Sequence, residues 1–197
     1  MTLDLLRQPL EDGKIVISRA RYRIEYPCSF MLVASMNPCP CGYHGDPSGR
    51  CRCSKGMIDS YMSRISGPLM DRIDMHIYVE RVPADDLTGD VAAEPSSAIA
   101  KRVQKARAVQ SERFRNEHGV FSNARMNAEM ISGYCRIGSR EREFLTTLID
   151  KLNLSARAYS RVLKLARTIS DLAGEEDISL QSISEAIQYR NLDRREY

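Results

Sequence analysis

Residues 155–174 can form little other than one long amphipathic helix. Ala158, Val162, Leu165, Ala166, Ile169, Leu172 and Ala173 recur at three- and four-residue steps, the spacing of a single helical face. Ser155 offers a side-chain acceptor to the free N–H groups of the first turn, and Gly174 is the residue type that ends a helix. A face of this kind must be covered, so this end of the chain is predicted to be a helical bundle. Its expected partners are three further helices. Residues 96–117 put Ile99, Val103, Ala106, Gln110 and Phe114 on one face, with Gly119 as the stop. Residues 139–152 begin at an N-cap serine and carry Phe144, Leu145, Leu148 and Ile149, and residues 179–190 turn Leu180, Ile183, Ala186 and Ile187 inward.

The first half of the chain has a different rhythm. Leu3, Leu6 and Leu10 lie at helical spacing, with Gly13 placed to cap the helix. Ile15 and Ile17 then alternate with Lys14, Val16 and Ser18, while Tyr22, Ile24 and Tyr26 alternate with Arg23 and Glu25. With Arg19-Ala20-Arg21 between them, the two runs predict a hairpin with a basic tip. After Pro27 the run at 30–34 is continuously apolar and stops at Ser35-Met36-Asn37-Pro38, which suits a strand buried on both faces of a parallel sheet. A helix at 54–64, a helical turn at 68–72 and a second buried strand at 74–79 are expected to follow. Asp, Gly, Ala and Pro then dominate up to Pro95. The fold class is therefore α/β plus α, with an α/β part at 1–83, a linker at 84–96 and a helical domain at 97–197.

Composition bounds the function. A hydrophobic content of 43% with 28% charged residues is enough for a buried core. No run approaches the roughly 18 apolar residues of a membrane span. Asp4, Arg7 and Pro9 interrupt any signal-peptide pattern, so a cytoplasmic protein is expected. A net charge of +3 does not by itself argue for nucleic acid. The basic run Lys101, Arg102, Lys105, Arg107, Arg113 and Arg115 reads first as the solvated face of a helix.

Four of the six cysteines fall in two Cys-x-Cys pairs, Cys39-Pro40-Cys41 and Cys51-Arg52-Cys53. A secreted disulfide scaffold would spread its cysteines along the chain. Four thiolates in a loop rich in Gly and Pro satisfy tetrahedral Zn²⁺ and would stiffen a segment with little core of its own. Such a site is structural, because four sulfurs leave no open position for chemistry. His44 offers an alternative ligand; free reduced thiols and disulfides are the competing states.

Three polar residues stand where ligands are usually met. Asn37 ends a predicted buried strand, the position at which α/β sheets bind ligands, although it could equally cap the loop before Pro38. Arg72 ends a short helical turn just before the next strand, where a planar guanidinium can reach phosphate. An ion pair with Asp71 or Asp74 is the simpler alternative. Arg157 lies in the first turn of the long helix, unfavourably toward its dipole unless an anion is bound. It shares a face with Arg161, Lys164 and Thr168.

In this order, Asn37, Gly67-Pro68-Leu69-Met70-Asp71-Arg72-Ile73-Asp74 and Ser155-Ala156-Arg157-Ala158 resemble the AAA+ ATPases related to magnesium chelatase. The likeness is strongest to the ComM/YifB family, through residues 6–13, Met36-Asn37-Pro38-Cys39-Pro40-Cys41-Gly42 and Ala166-Arg167-Thr168-Ile169-Ser170-Asp171-Leu172. The resemblance implies the C-terminal part of an AAA+ core, with parallel strands and a pre-sensor-1 hairpin, followed by a helical lid. It implies that Asn37 is sensor 1, that Arg72 is an arginine finger offered to ATP on the adjacent subunit, and that Arg157 is sensor 2. It also implies ATP and Mg²⁺ as cofactors, a hexamer of neighbouring subunits, and DNA as a partner that Arg19, Arg21 and Arg23 could contact. A magnesium-chelatase motor subunit and a stand-alone zinc-containing binding module are the competing functions.

One departure is large. No Gly-x-x-x-x-Gly-Lys-Ser/Thr occurs, nor an apolar strand ending in Asp-Glu, so the groups that hold nucleotide and magnesium are missing. In the family both lie upstream. The chain is therefore expected to be a fragment, unable to hydrolyse ATP alone, with exposed apolar surface where missing strands would pair and a tendency to self-associate.

Overall fold

The computed structural model describes residues 2–82, 93–152 and 154–190, which fall into two compact units. The first contains residues 2–73 and 78–81; the second contains 74–77, Val82 and the helices from residue 96 onward. Most of the expected linker, and the last residues of the expected helical domain, lie outside the described residues.

The first unit begins with a 3-10 turn, Thr2–Leu6, running into α1, Arg7–Asp12. Gly13 ends α1 with φ of 64°, and its N–H donates to the Pro9 carbonyl. That left-handed residue turns the chain directly into β1, Lys14–Arg19, which pairs antiparallel with β2, Tyr22–Pro27. The register sets Ile15 opposite Tyr26, Ile17 opposite Ile24 and Arg19 opposite Tyr22. Because strand side chains alternate, these six share one face, while Lys14, Val16, Ser18, Arg23 and Glu25 share the other. The alternating pattern and the basic tip are as expected. Nearly every hairpin side chain is exposed on both faces. Further along, α2 (Lys55–Met62) is capped by the Ser54 hydroxyl, which accepts from the Met57 N–H. A single-turn helix, α3 (Gly67–Met70), follows. Cys39, Ile58 and Leu69 are the buried hydrophobic side chains of this unit.

The two expected buried strands do not form. Residues 30–34 and 74–79 carry no ladder, and the β1–β2 pair is the only sheet among the described residues. Met31 is 87% exposed and Val33 82%. An apolar run becomes a buried strand only when other strands supply partners for its N–H and C=O groups; among the described residues no strand does so, and the His76 N–H donates instead to the Tyr189 carbonyl at 2.6 Å.

The second unit is the predicted bundle. It comprises α4 (Ser96–Arg113), a 3-10 turn (Asn123–Arg125), α5 (Ala128–Tyr134), α6 (Ser139–Leu152), α7 (Ala156–Ala173) and α8 (Leu180–Gln188). Helix α7 is central and touches α4, the 3-10 turn, α5 and α8. Its Ser155 cap accepts from the Ala158 N–H, and Gly174 closes it at φ of 77°. The Glu175 N–H then donates back to the Ser170 carbonyl at 2.9 Å, completing a Schellman end. Val162, Leu163 and Ala166 meet Leu145, Ile183, Ala186 and Ile187 in the core, with Phe114 edge-on to Tyr134 at 5.4 Å.

Several boundaries and faces differ from expectation. Helix α4 stops at Arg113, and its Ile99 and Val103 are 43% exposed, so only its second half is packed. Ser139 lies inside α6 rather than capping it, since the Arg142 N–H donates to Gly138. Leu163 is buried while Leu172 is 44% exposed, because the stripe of α7 rotates toward Arg167, Ser170 and Asp171 at its end. The short helix α5, capped by the Asn127 side chain, was not expected as a separate element.

Candidate functional site

The four-cysteine loop is built from turns that bend the chain back on itself. Gly42 and Gly45 both sit at φ of 81°, a region side-chain-bearing residues rarely enter. At Gly45 a Cβ would also stand only 3.0 Å from the Tyr78 hydroxyl, which donates to the His44 carbonyl. These bends bring Cys39, Cys41, Cys51 and Cys53 together, all four sulfurs lying within 4.8 Å of one another. The Cys39–Cys41, Cys41–Cys51 and Cys39–Cys51 Sγ pairs are 3.3, 3.7 and 3.8 Å apart. Zinc–sulfur bonds of about 2.3 Å in a tetrahedron require sulfurs about 3.8 Å apart, so the quartet fits the ion. His44 is not part of the group, and Cys28 and Cys135 stand apart from it.

The thiols titrate as a cluster. Backbone N–H groups of Tyr43 and Arg52 aim at Cys41 and, with the neighbouring thiols, bring it down to about 6. At Cys39 burial works upward, but backbone N–H groups of His44, Cys41 and Tyr43 prevail and lower it. Burial pushes Cys53 up to about 12. Such a set shares its protons unevenly. A dication would draw off the remaining protons.

Asn37 lies two residues before this loop and is exposed. A Cβ at Gly42 would stand 3.9 Å from its amide carbon and Nδ2, so the amide lies beside the first bend. Arg72 is in the same unit, and its side chain is only 8% exposed. One terminal nitrogen donates to the Pro68 carbonyl at 2.6 Å, and the other pairs with the Glu11 carboxylate. The partner is thus neither Asp71 nor Asp74; Asp74 pairs instead with Arg161. Arg157 is exposed in the first turn of α7, in the other unit. Its helix neighbour Lys164 is half-buried and donates to the Ala124 carbonyl, and Thr168 accepts from Asn123. That face of α7 is therefore covered toward its C-terminal half rather than solvated throughout.

On the hairpin, Arg19, Arg21 and Arg23 are all exposed. Arg23 lies 3.5 Å from Glu25, which also accepts from Lys14 at 2.9 Å. The Lys14 hydrogen bond is the main cause holding the Glu25 carboxyl below its ordinary range.

The sequence pattern alone missed a buried polar cluster in the bundle. Asp171 receives both ends of the Arg113 guanidinium at 2.5 and 2.7 Å, the Asn123 amide at 2.7 Å and Arg167 Nε at 3.1 Å. Arg167 also donates to the carbonyls of Glu175 and Glu176, which follow α7. The available signal was the Arg167/Asp171 pair, four residues apart at the edge of an apolar stripe.

Two stretches of the chain match described families. Residues 1–87 match magnesium chelatase, subunit ChlI, and residues 93–190 match the C-terminal region of the same subunit. The chain belongs to this magnesium-chelatase-like family. It is 42% identical over 194 residues to competence protein ComM of Haemophilus influenzae, a match covering 98% of this chain and 36% of ComM. It is 37% identical over 193 residues to the uncharacterized protein YifB of Escherichia coli, covering 98% of this chain and 37% of YifB. The chain thus spans little more than a third of the length of these relatives. No helix among the described residues is long and apolar enough to cross a membrane.

Proposed function

We propose that this chain is the sensor, finger and lid portion of an ATP-driven AAA+ ring motor that remodels DNA. The observation that carries the proposal is the family match along both units, combined with the position of Arg72 at the end of α3. In this reading Asn37 orients the attacking water, Arg72 reaches ATP on the adjacent subunit, and Arg157 reports the γ-phosphate to the helical lid. ATP and Mg²⁺ are held by parts of a longer protein, whose strands also pair with residues 30–34 and 74–79. Arg19, Arg21 and Arg23 project from the hairpin toward the nucleic-acid backbone. ATP turnover by the longer protein, measured with and without DNA, tests this. Arg72→Ala should lower kcat by about 10³-fold or more, the usual worth of an arginine finger. Turnover that survives the substitution, or that never responds to DNA, would sink the reading; the second result would point to the chelatase-type motor.

The cysteine quartet supports a structural Zn²⁺, held by Cys39, Cys41, Cys51 and Cys53. The ion would contribute fixed geometry to a loop of which Cys39 is the only fully buried side chain. Closed tetrahedral coordination gives it no catalytic part.

A further inference from the structure

Arg72 is tied to the root of the hairpin, and the tie is Glu11. Four facts place it there. Glu11 is on the last turn of α1, and Gly13, two residues on, hands the chain straight to β1. The Cys28 N–H, just beyond β2, donates to the Gly13 carbonyl at 2.7 Å, so both strands are anchored at that residue. The Glu11 carboxylate pairs with Arg72 across 61 residues of sequence. A second link, from the Ser66 hydroxyl to Asp4 at 2.5 Å, fastens the start of the α3 segment to the turn preceding α1.

Among the described residues the guanidinium has few other partners. Arg72 Nε is buried without a hydrogen bond, and the Pro68 carbonyl is a neutral acceptor within the same turn. A charge with so little solvent depends on its counter-ion for orientation as well as for energy. Among the described residues Glu11 is therefore the one charged partner of Arg72, and with the Pro68 carbonyl it sets where the two terminal nitrogens point. Each of those nitrogens keeps a further N–H that can be offered elsewhere.

We propose that Glu11 is a positioning residue that couples occupancy of the basic hairpin to presentation of Arg72. Nucleic acid that displaces the hairpin shifts its root at Gly13, and through Glu11 re-aims the guanidinium toward its phosphate. This rests on Arg72 being the finger, and the experiment separates the two ideas. In the longer protein, Glu11→Gln should lower the stimulation of ATP turnover by DNA about tenfold, within the usual range for coupling between sites. KM for ATP and Kd for DNA should stay within about twofold, since the proposal gives Glu11 no contact with either ligand. Glu11→Asp, which keeps the charge, should restore part of the stimulation. Amide exchange across residues 66–72 should change on adding DNA to the wild type and not to Glu11→Gln, a readout independent of turnover. Full stimulation in Glu11→Gln, with Arg72→Ala inactive, would overturn the coupling and leave the finger intact. An active Arg72→Ala would overturn both. Circular dichroism of each variant distinguishes lost coupling from lost folding, and an unfolded Glu11→Gln would shift the decision to Glu11→Asp, whose unchanged exchange pattern would also refute the coupling.

Discussion

Arg113, at the end of α4, grips Asp171, near the end of α7, through both arms of its guanidinium. The Asp171 side chain is wholly buried, and Arg167 and Asn123 complete its shell. The pair joins two helices 58 residues apart in sequence, at the end of α7 where the apolar stripe gives way to polar side chains.

Asp171→Asn should destabilise the bundle by about 3 to 5 kcal/mol, the usual cost of removing one member of a buried pair. Two guanidinium groups would lose their common counter-ion. Urea titration followed by circular dichroism would measure this; a loss below about 1 kcal/mol would show that the cluster is solvated.

The same residue predicts an acid limb in stability. Burial pushes the Asp171 carboxyl up, but hydrogen bonds from Arg113 and Asn123 and the charges of Arg113 and Arg167 outweigh it, so its folded pKa lies below the ordinary value. A depressed pKa contributes stability above the unfolded value of about 3.9, and that contribution fades as pH falls through the folded value. Tm should therefore fall more steeply below about pH 4 in the wild type than in Asp171→Asn. Parallel curves would refute it.

The metal proposal has a direct assay. Protein purified under reducing conditions should carry about one equivalent of zinc, and cobalt substituted for it should show thiolate charge-transfer absorption. Cys39→Ser should lose most of the metal, whereas Cys28→Ser and Cys135→Ser should keep it. Less than about a tenth of an equivalent in the wild type would exclude the site.

Among the hairpin arginines, the geometry ranks the contributions expected of each to the proposed DNA binding. Arg23 shares a carboxylate with Lys14, while Arg19 and Arg21 stand at the tip. Replacing either tip arginine by Ala should reduce the salt slope of duplex binding by about 0.9, and Arg23→Ala should reduce it less. Equal effects at all three positions would contradict the ranking.

Met31 and Val33 present apolar side chains to solvent on a run without ladder partners. The chain should self-associate at high concentration, and Met31→Lys with Val33→Lys should suppress this. Light scattering that shows a monomer for the unsubstituted chain would count against it.

Much of this architecture was legible because local chemistry decides it. Ser155, Gly13 and Gly174 cap helices through contacts a few residues away, and the hairpin register follows from alternation between Lys14 and Tyr26. The cysteine quartet was legible for the same reason, since fifteen residues contain all four thiols. What stayed hidden depends on distant partners. Glu11 gives no local sign that it faces Arg72, and Asn123 and Asp171 look like surface residues until α4 and the 3-10 turn close over α7. The run at 30–34 misled in the opposite direction: its composition specifies a strand, but a strand is a property of two segments.

Helix α7 has a mechanical consequence. Its rise carries Arg157 about 21 Å from Asp171, and the Asp171 end is clamped by two arginines and the capping carbonyls. With that end fixed, any small tilt of the rod is magnified at the other. A tilt of about 5° at that fulcrum would carry the Arg157 backbone roughly 2 Å, enough on the scale of a hydrogen bond to make or break a contact there.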